Sequence, residues 1–160
     1  MSQSDPPPGN PFAGGGYPGL PEPGPERDSA GLGMLAALVA ALVAGTIHGV
    51  VAGQIEIEIG WAAFGVGFLS GFMAGKAGGS NPFLMAAAGV FSIGGVYFGQ
   101  LLAFAIINSK DLYIPVTEMF LQHFDLVTDS WDESKSLVRL LFFALAAAGA
   151  AAGVHKGGAR

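Results

Sequence analysis

The 160-residue chain has no cysteine, which excludes disulfides, thiolate metal sites and cysteine nucleophiles. Charge is scarce as well: Asp, Glu, Lys and Arg make up 12% of the residues, against about 25% in an ordinary soluble domain. The Lys and Arg residues number seven, are scattered, and sit in a chain of formal net charge -5. No basic face can form to neutralise a phosphate backbone, so a nucleic-acid partner is excluded. Past Pro25 only Pro82 and Pro115 remain, so most of the chain is open to long helices.

Catalytic signatures are missing too. There is no HExxH and no nucleophile elbow, and no second His stands near a carboxylate at metal-ligand spacing. GVGFLSG lacks the third glycine of a dinucleotide fingerprint. GFMAGKAGG has three residues where a P-loop needs four, and Ala77 where it needs Ser or Thr. Ser70 and Ser92 have no obvious base, and His123 and His155 read as surface or tail residues. The expectation is a protein that is not an enzyme, with no metal and no cofactor.

What is present is apolar: 51% hydrophobic residues and 26 glycines. Residues 1–29 hold eight of the ten prolines and too few apolar side chains to offset the entropy of ordering a backbone, so they read as a disordered Pro/Gly-rich tail. Four apolar runs follow, at about 31–53, 59–75, 83–107 and 137–154. The first, GLGMLAALVAALVAGTIHGVVAG, has no charge and is long enough to cross a hydrocarbon core of about 30 Å. The second and fourth stand at the lower limit for a span. A cleaved signal peptide ending near Ala52 is the competing reading of the first run, but the preceding region is long, acidic and nearly free of basic residues.

The fold class predicted is therefore all-α: a polytopic four-helix transmembrane bundle over residues 30–155, followed by a short tail at 156–160. In the third connector Val116, Met119, Phe120, Phe124 and Val127 recur at helical spacing, which predicts a short amphipathic helix at about 115–128. Its acidity argues against attraction to anionic lipid and for capping the mouth of the bundle. Ser130-x-x-Glu133 has the form of a capping box opening the fourth span.

Small residues recur every four positions: Gly45, Gly49 and Gly53 in the first run; Ala63, Gly67, Gly71 and Gly75 in the second; Gly95, Gly99 and Ala103 in the third; Ala144, Ala148 and Ala152 in the fourth. Lipid gives helices no hydrophobic reason to associate, so such faces supply close backbone packing instead. Within the runs, His48 and Gln100 fall at similar depth if all four cross, with Thr46 and Tyr97 nearby and Arg139 entering from the same side. They form a candidate buried polar cluster. In GQIEIEIGW, period-two alternation sends Ile55, Ile57 and Ile59 one way and Glu56 and Glu58 the other, as in a short extended surface turn. Glu58, before Gly60 and Trp61, suits a helix N-terminus and could face His48.

Four spans put both termini on one side. Arg27, Lys76, Lys156 and Arg160 against Lys110, Lys135 and Arg139 favour cytoplasmic termini. The loop and second run, IEIEIGWAAFGVGFLSGFMAG, also resemble the hairpin of small bacterial four-helix membrane proteins whose loop reads G-x-E-[IL]-G-W-x-A. Glu58, Ile59, Gly60, Trp61 and Ala63 are the matching residues. The resemblance is best over 35–75 and implies a four-helix membrane fold with no assigned activity. The zinc-ribbon tail of some such proteins has no counterpart in this Cys-free chain. The expectation is a bacterial inner-membrane scaffold or accessory subunit whose partners are the bilayer and a membrane protein or second copy. The alternative is a small transporter or channel component using His48 and Gln100.

Overall fold

The computed structural model describes residues 29–57, 60–133 and 137–159; residues 1–28 of the Pro/Gly-rich tail, Glu58, Ile59, the segment 134–136 and Arg160 lie outside it. Six helices make up the described chain: α1 (Ala30–Ile55), α2 (Gly60–Gly78), α3 (Pro82–Leu112), α4 (Val116–Gln122), α5 (Phe124–Glu133) and α6 (Leu137–Gly158). The all-α class is as expected. Of the six, α1, α3 and α6 are long and apolar enough to cross a membrane. The 19-residue α2 is less apolar because six glycines and Lys76 dilute its Phe, Val and Leu content.

The helix ends follow local chemistry. Asn81 caps α3, its side-chain oxygen accepting the Leu84 N–H at 2.7 Å, and Pro82 occupies the first helical position, where no N–H is needed. Gly79, at φ 77°, ends α2 with its N–H on the Gly75 carbonyl at 2.9 Å. Glu56 ends α1 in the left-handed conformation at φ 58°, and its N–H reaches the Ala52 carbonyl. The extended alternation expected from Ile55 onward therefore fails at its first step: Ile55 is the last residue of a helix and Glu56 is its cap.

Two seams hold the long helices. Along α1 and α3 a Cβ added at Gly45 or Gly49 would run into the carbonyl of Gly95 or Gly99, and one at Gly53 would meet Ala103. The constant offset makes this a parallel pair in register. Along α2 and α6, Gly67, Gly71 and Gly75 face the carbonyls of Ala146, Ala150 and Val154, and from the other side Gly149, Gly153 and Gly157 face those of Phe64, Phe68 and Phe72. These approaches bring backbone onto backbone, the contact that small-residue faces exist to allow.

The α6 stripe is not the one expected. Ala144, Ala148 and Ala152 are exposed, while Ala146, Ala150 and the three glycines face α2. Phe64, Phe68 and Phe72 stack along α2 with centroids 6.4 and 6.0 Å apart. Their backbone carbonyls need glycine opposite them, and that requirement chooses the face. Helix α6 also runs on through Lys156 to Gly158, so the expected tail at 156–160 is helical for its first three residues.

The two seams are joined by hydroxyls. Ser70 of α2 donates to the Ala37 carbonyl of α1 at 2.9 Å, and Ser92 of α3 donates to Gly89 at 2.8 Å and across to Ala146 of α6 at 3.3 Å. Both serines are fully buried. Helices α2 and α3 touch along the middle, while α1 and α6 share no contact among the described residues. The section is a rhombus with α1 and α6 at its far corners.

Side-chain size is inverted relative to a water-soluble core. Ala37, Ala41, Ala74, Ala88, Ala146 and Ala150 fill the interior, while Leu32, Leu35, Val39, Leu42, Val43 and Ile47 stand outward on α1. In water such an apolar exterior would mark an interaction surface or an aggregation hazard; in hydrocarbon it is the expected exterior.

The third connector forms two helices rather than one over 115–128, and α5 extends to Glu133. His123, at φ -125° and ψ 38°, ends α4, and its carbonyl accepts the first α5 amides from Leu126 and Val127. The break lets Met119 of α4 and Val127 of α5 both pack on Leu101 and Ala105 of α3. By the register of the first seam α3 outlasts α1 by about 10 Å; α4 and α5 pack mainly below this overhang, on Tyr97, Phe98, Leu101 and Ala105 level with the last turns of α1, and Asn108 on the overhang reaches Ser130. They flank α3 instead of covering the mouth of the bundle, a correction to the capping expected. Ser130 and Glu133 are not a capping box for α6: both lie within α5, where the Ser130 hydroxyl turns back to the Leu126 carbonyl at 2.8 Å.

Candidate functional site: an aromatic latch and an apolar groove

The polar residues singled out from the sequence divide between two places. Gln100, 4% exposed on α3, accepts the indole N–H of Trp131 at 3.1 Å. Arg139, 6% exposed in the first turn of α6, stacks its guanidinium 4.0 Å from the Trp131 ring centroid and donates through Nη2 to the Trp131 carbonyl at 2.6 Å. Tyr97 meets the same indole edge-on at 5.0 Å. Trp131 is thus the hub of a latch that ties α5 to α3 and α6.

Each contact suits its chemistry. A buried guanidinium needs both an acceptor and a face for its delocalised charge, and an indole with its own carbonyl offers both. A buried indole N–H needs an acceptor, which Gln100 supplies. Beside the latch, Asn108 donates to the Ser130 hydroxyl at 3.0 Å. Sequence reasoning missed Trp131 as the hub. The available signal was its position four residues after Val127 on the apolar side of an acidic helix.

His48 lies elsewhere. It is half-buried on α1 and lines an apolar groove of about 350 Å³ with Ala44, Ile47, Val51, Trp61, Gly65 and Leu69. It has no hydrogen-bond partner among the described residues. The expected grouping of His48 with Gln100 is therefore split: Gln100 turns to α5 and His48 to the cleft between α1 and α2. Thr46 does not join either, since its hydroxyl bonds the Leu42 carbonyl one turn back at 2.7 Å. Glu58 lies outside the described residues.

Of the GQIEIEIGW stretch, Glu56 has a defined role. Lys110 reaches from α3 to the Gly53 carbonyl at 3.0 Å and to the Glu56 carboxylate at 3.4 Å. A cation at the end of α1 complements its dipole and its unpaired carbonyls. The exposed ion pair itself adds little.

Chemically, the two buried serines donate to backbone carbonyls. Among the described residues no three His, Asp or Glu side chains group as a metal site requires. The arrangement can hold helices together, present a surface and accept an apolar ligand. Fold and exterior define a helical membrane protein. Set against family profiles, curated proteins and solved structures, the chain matches none.

Proposed function

We propose that this chain is a four-span, non-enzymatic subunit of a bacterial inner membrane, with cytoplasmic termini, that scaffolds a membrane-protein partner through its α4–α5 platform. The observation that carries the reading is the latched platform. It is held to the bundle by Trp131, Gln100 and Arg139; Leu121 on α4 is 82% exposed, and Tyr113, the cap of α3 in the turn that leads into α4, is 95% exposed. Exposed large apolar side chains at the outer end of the bundle, on a body fixed by buried contacts, are what an interface needs.

The four-span arrangement follows if α2 crosses with its neighbours. Helix α2 is seamed to α6 over three glycines and bonded to α1 by Ser70, so it lies within the same layer as the three more apolar helices. Two serines bonded to carbonyls and an alanine-lined interior favour packing over conduction. A relay from the loop to His48 and onward finds no second titratable side chain among the described residues that line the groove.

The test is photocrosslinking in native membranes from residue 113 or 121, with residue 38 on the lipid-facing side of α1 as control. A defined adduct with another protein from 113 or 121, absent from 38, is expected. Adducts confined to copies of the same chain would replace the scaffold reading with self-association.

A further inference from the structure

We infer that the α1–α2 side of the bundle is a lipid-contact surface fitted to a thinned outer leaflet, whose head groups come down to the level of Trp61 and His48. The inference rests on the reading that α2 crosses the membrane, and goes beyond the platform to the bilayer on the opposite side of the bundle.

Helices α1 and α2 run antiparallel, and their contacts fix which residues share a level. Ser70 donates to the Ala37 carbonyl, and toward the loop Ala44, His48 and Val51 share a groove with Trp61 and Gly65. Trp61 is therefore level with His48, seven residues before Ile55 ends α1, or about 10 Å below that end. At the opposite end the helices are flush. Ser29 donates to the Ala77 carbonyl, and Cβ atoms added at Gly33 and Gly78 would both meet Leu84 at the start of α3.

The two helices offer lipid different apolar lengths. On α2 the charge-free surface runs from Trp61, 78% exposed, to Lys76, a rise of about 22 Å against about 30 Å of hydrocarbon. Lys76 does not reach outward to extend it: its ammonium lies 5.7 Å from the Phe72 ring centroid, one turn nearer the middle of the helix. On α1 exposed apolar side chains run from Leu32 to Ile55, about 34 Å. Tilt cannot reconcile the pair, because a tilt that shortens α1 to fit shortens α2 further.

With the inner ends flush, the deficit of about 8 Å on α2 falls in the outer leaflet. A leaflet of full thickness would immerse Trp61 and His48 together, and neither side chain has a hydrogen-bond partner among the described residues. Unmet donors in hydrocarbon are costly, and an indole favours the head-group level. A leaflet that dips to meet α2 supplies partners to both rings at once.

The test labels Val43→Cys, Val51→Cys and Ile55→Cys, all at exposed positions of α1, in intact cells with a membrane-impermeant maleimide. Val51→Cys and Ile55→Cys are expected to label at the rate of Gln54→Cys, and Val43→Cys not at all. Protection of Val51→Cys equal to that of Val43→Cys, with Ile55→Cys labelled, would overturn the thinning and leave α2 a span. Labelling of Gln54→Cys and Ser80→Cys from one side would instead remove the span, and the inference with it. In vesicles, Trp131→Phe leaves Trp61 the sole tryptophan, open to quenching by brominated phosphatidylcholine. Dimyristoleoyl lipid is expected to relieve that quenching about threefold more effectively than dierucoyl lipid. Equal relief by the two, or no quenching at all because a second copy covers this face, would also overturn it.

Discussion

The bundle and the platform are built on opposite rules. In the bundle, glycine meets carbonyl at Gly45, Gly49, Gly67 and Gly71, and helices are held by what their side chains omit. In the platform, Met119, Val127, Phe120 and Trp131 fill the space against α3, and Gln100, Asn108 and Arg139 supply directed polar contacts. Lipid rewards close backbone approach because burying a Leu there gains nothing; the platform, beside the last turns of α1 and the first turn of α6, instead joins large side chains to directed polar contacts at the outer end of the bundle.

The comparison can be broken by enlarging the seams and truncating the platform. The largest effect is expected from Gly71→Leu, which drives a side chain into the Ala150 carbonyl. It should cost about 3 kcal/mol or more in detergent unfolding, because no flexible neighbour can yield. Gly94→Ala, where added bulk meets nothing, should be neutral or slightly stabilising. Next is Trp131→Ala, which empties the hub of the latch and should cost roughly 3 kcal/mol locally. Hydrogen exchange should rise across 116–133 while α1 and α2 keep their protection. If the bundle loosens equally, the two regions are one cooperative unit.

Smaller effects sharpen the same contrast. Gln100→Leu leaves the Trp131 indole N–H without its acceptor and should cost about 1 kcal/mol, read as a weakened platform alone. Ser70→Ala removes one interhelical bond and should cost about 0.6 kcal/mol in the bundle. Smallest of all, Glu56→Gly should be slightly stabilising. It relieves a left-handed conformation costing about 1 kcal/mol and gives up only the exposed pair with Lys110.

The long elements were legible because glycine and apolar periodicity act locally. The runs at 31–53, 59–75, 83–107 and 137–154 became α1, α2, most of α3 and most of α6, and the glycines named on α1, α2 and α3 do line the seams. The α6 face was misread because that helix offers two small-residue stripes, and only the Phe64–Phe68–Phe72 backbone across the seam distinguishes them. The latch was hidden for a related reason. Trp131 and Gln100 are 31 residues apart, and the break at His123 that brings them together is set by the fit of Met119 and Val127 on α3. Depth matched His48 with Gln100, but rotation about the helix axis parted them, and rotation is fixed by the Gly49–Gly99 contact lying between.

The central claim is that α2, the least apolar of the long helices, crosses the membrane beside α1, α3 and α6. It is tested most directly by single cysteines in this Cys-free chain at Gln54, Ser80 and Asp129, all exposed, labelled in intact cells with a membrane-impermeant maleimide. The account predicts that Gln54 and Asp129 react from outside and that Ser80 reacts only after the cells are opened. Labelling of Gln54 and Ser80 from the same side would contradict it.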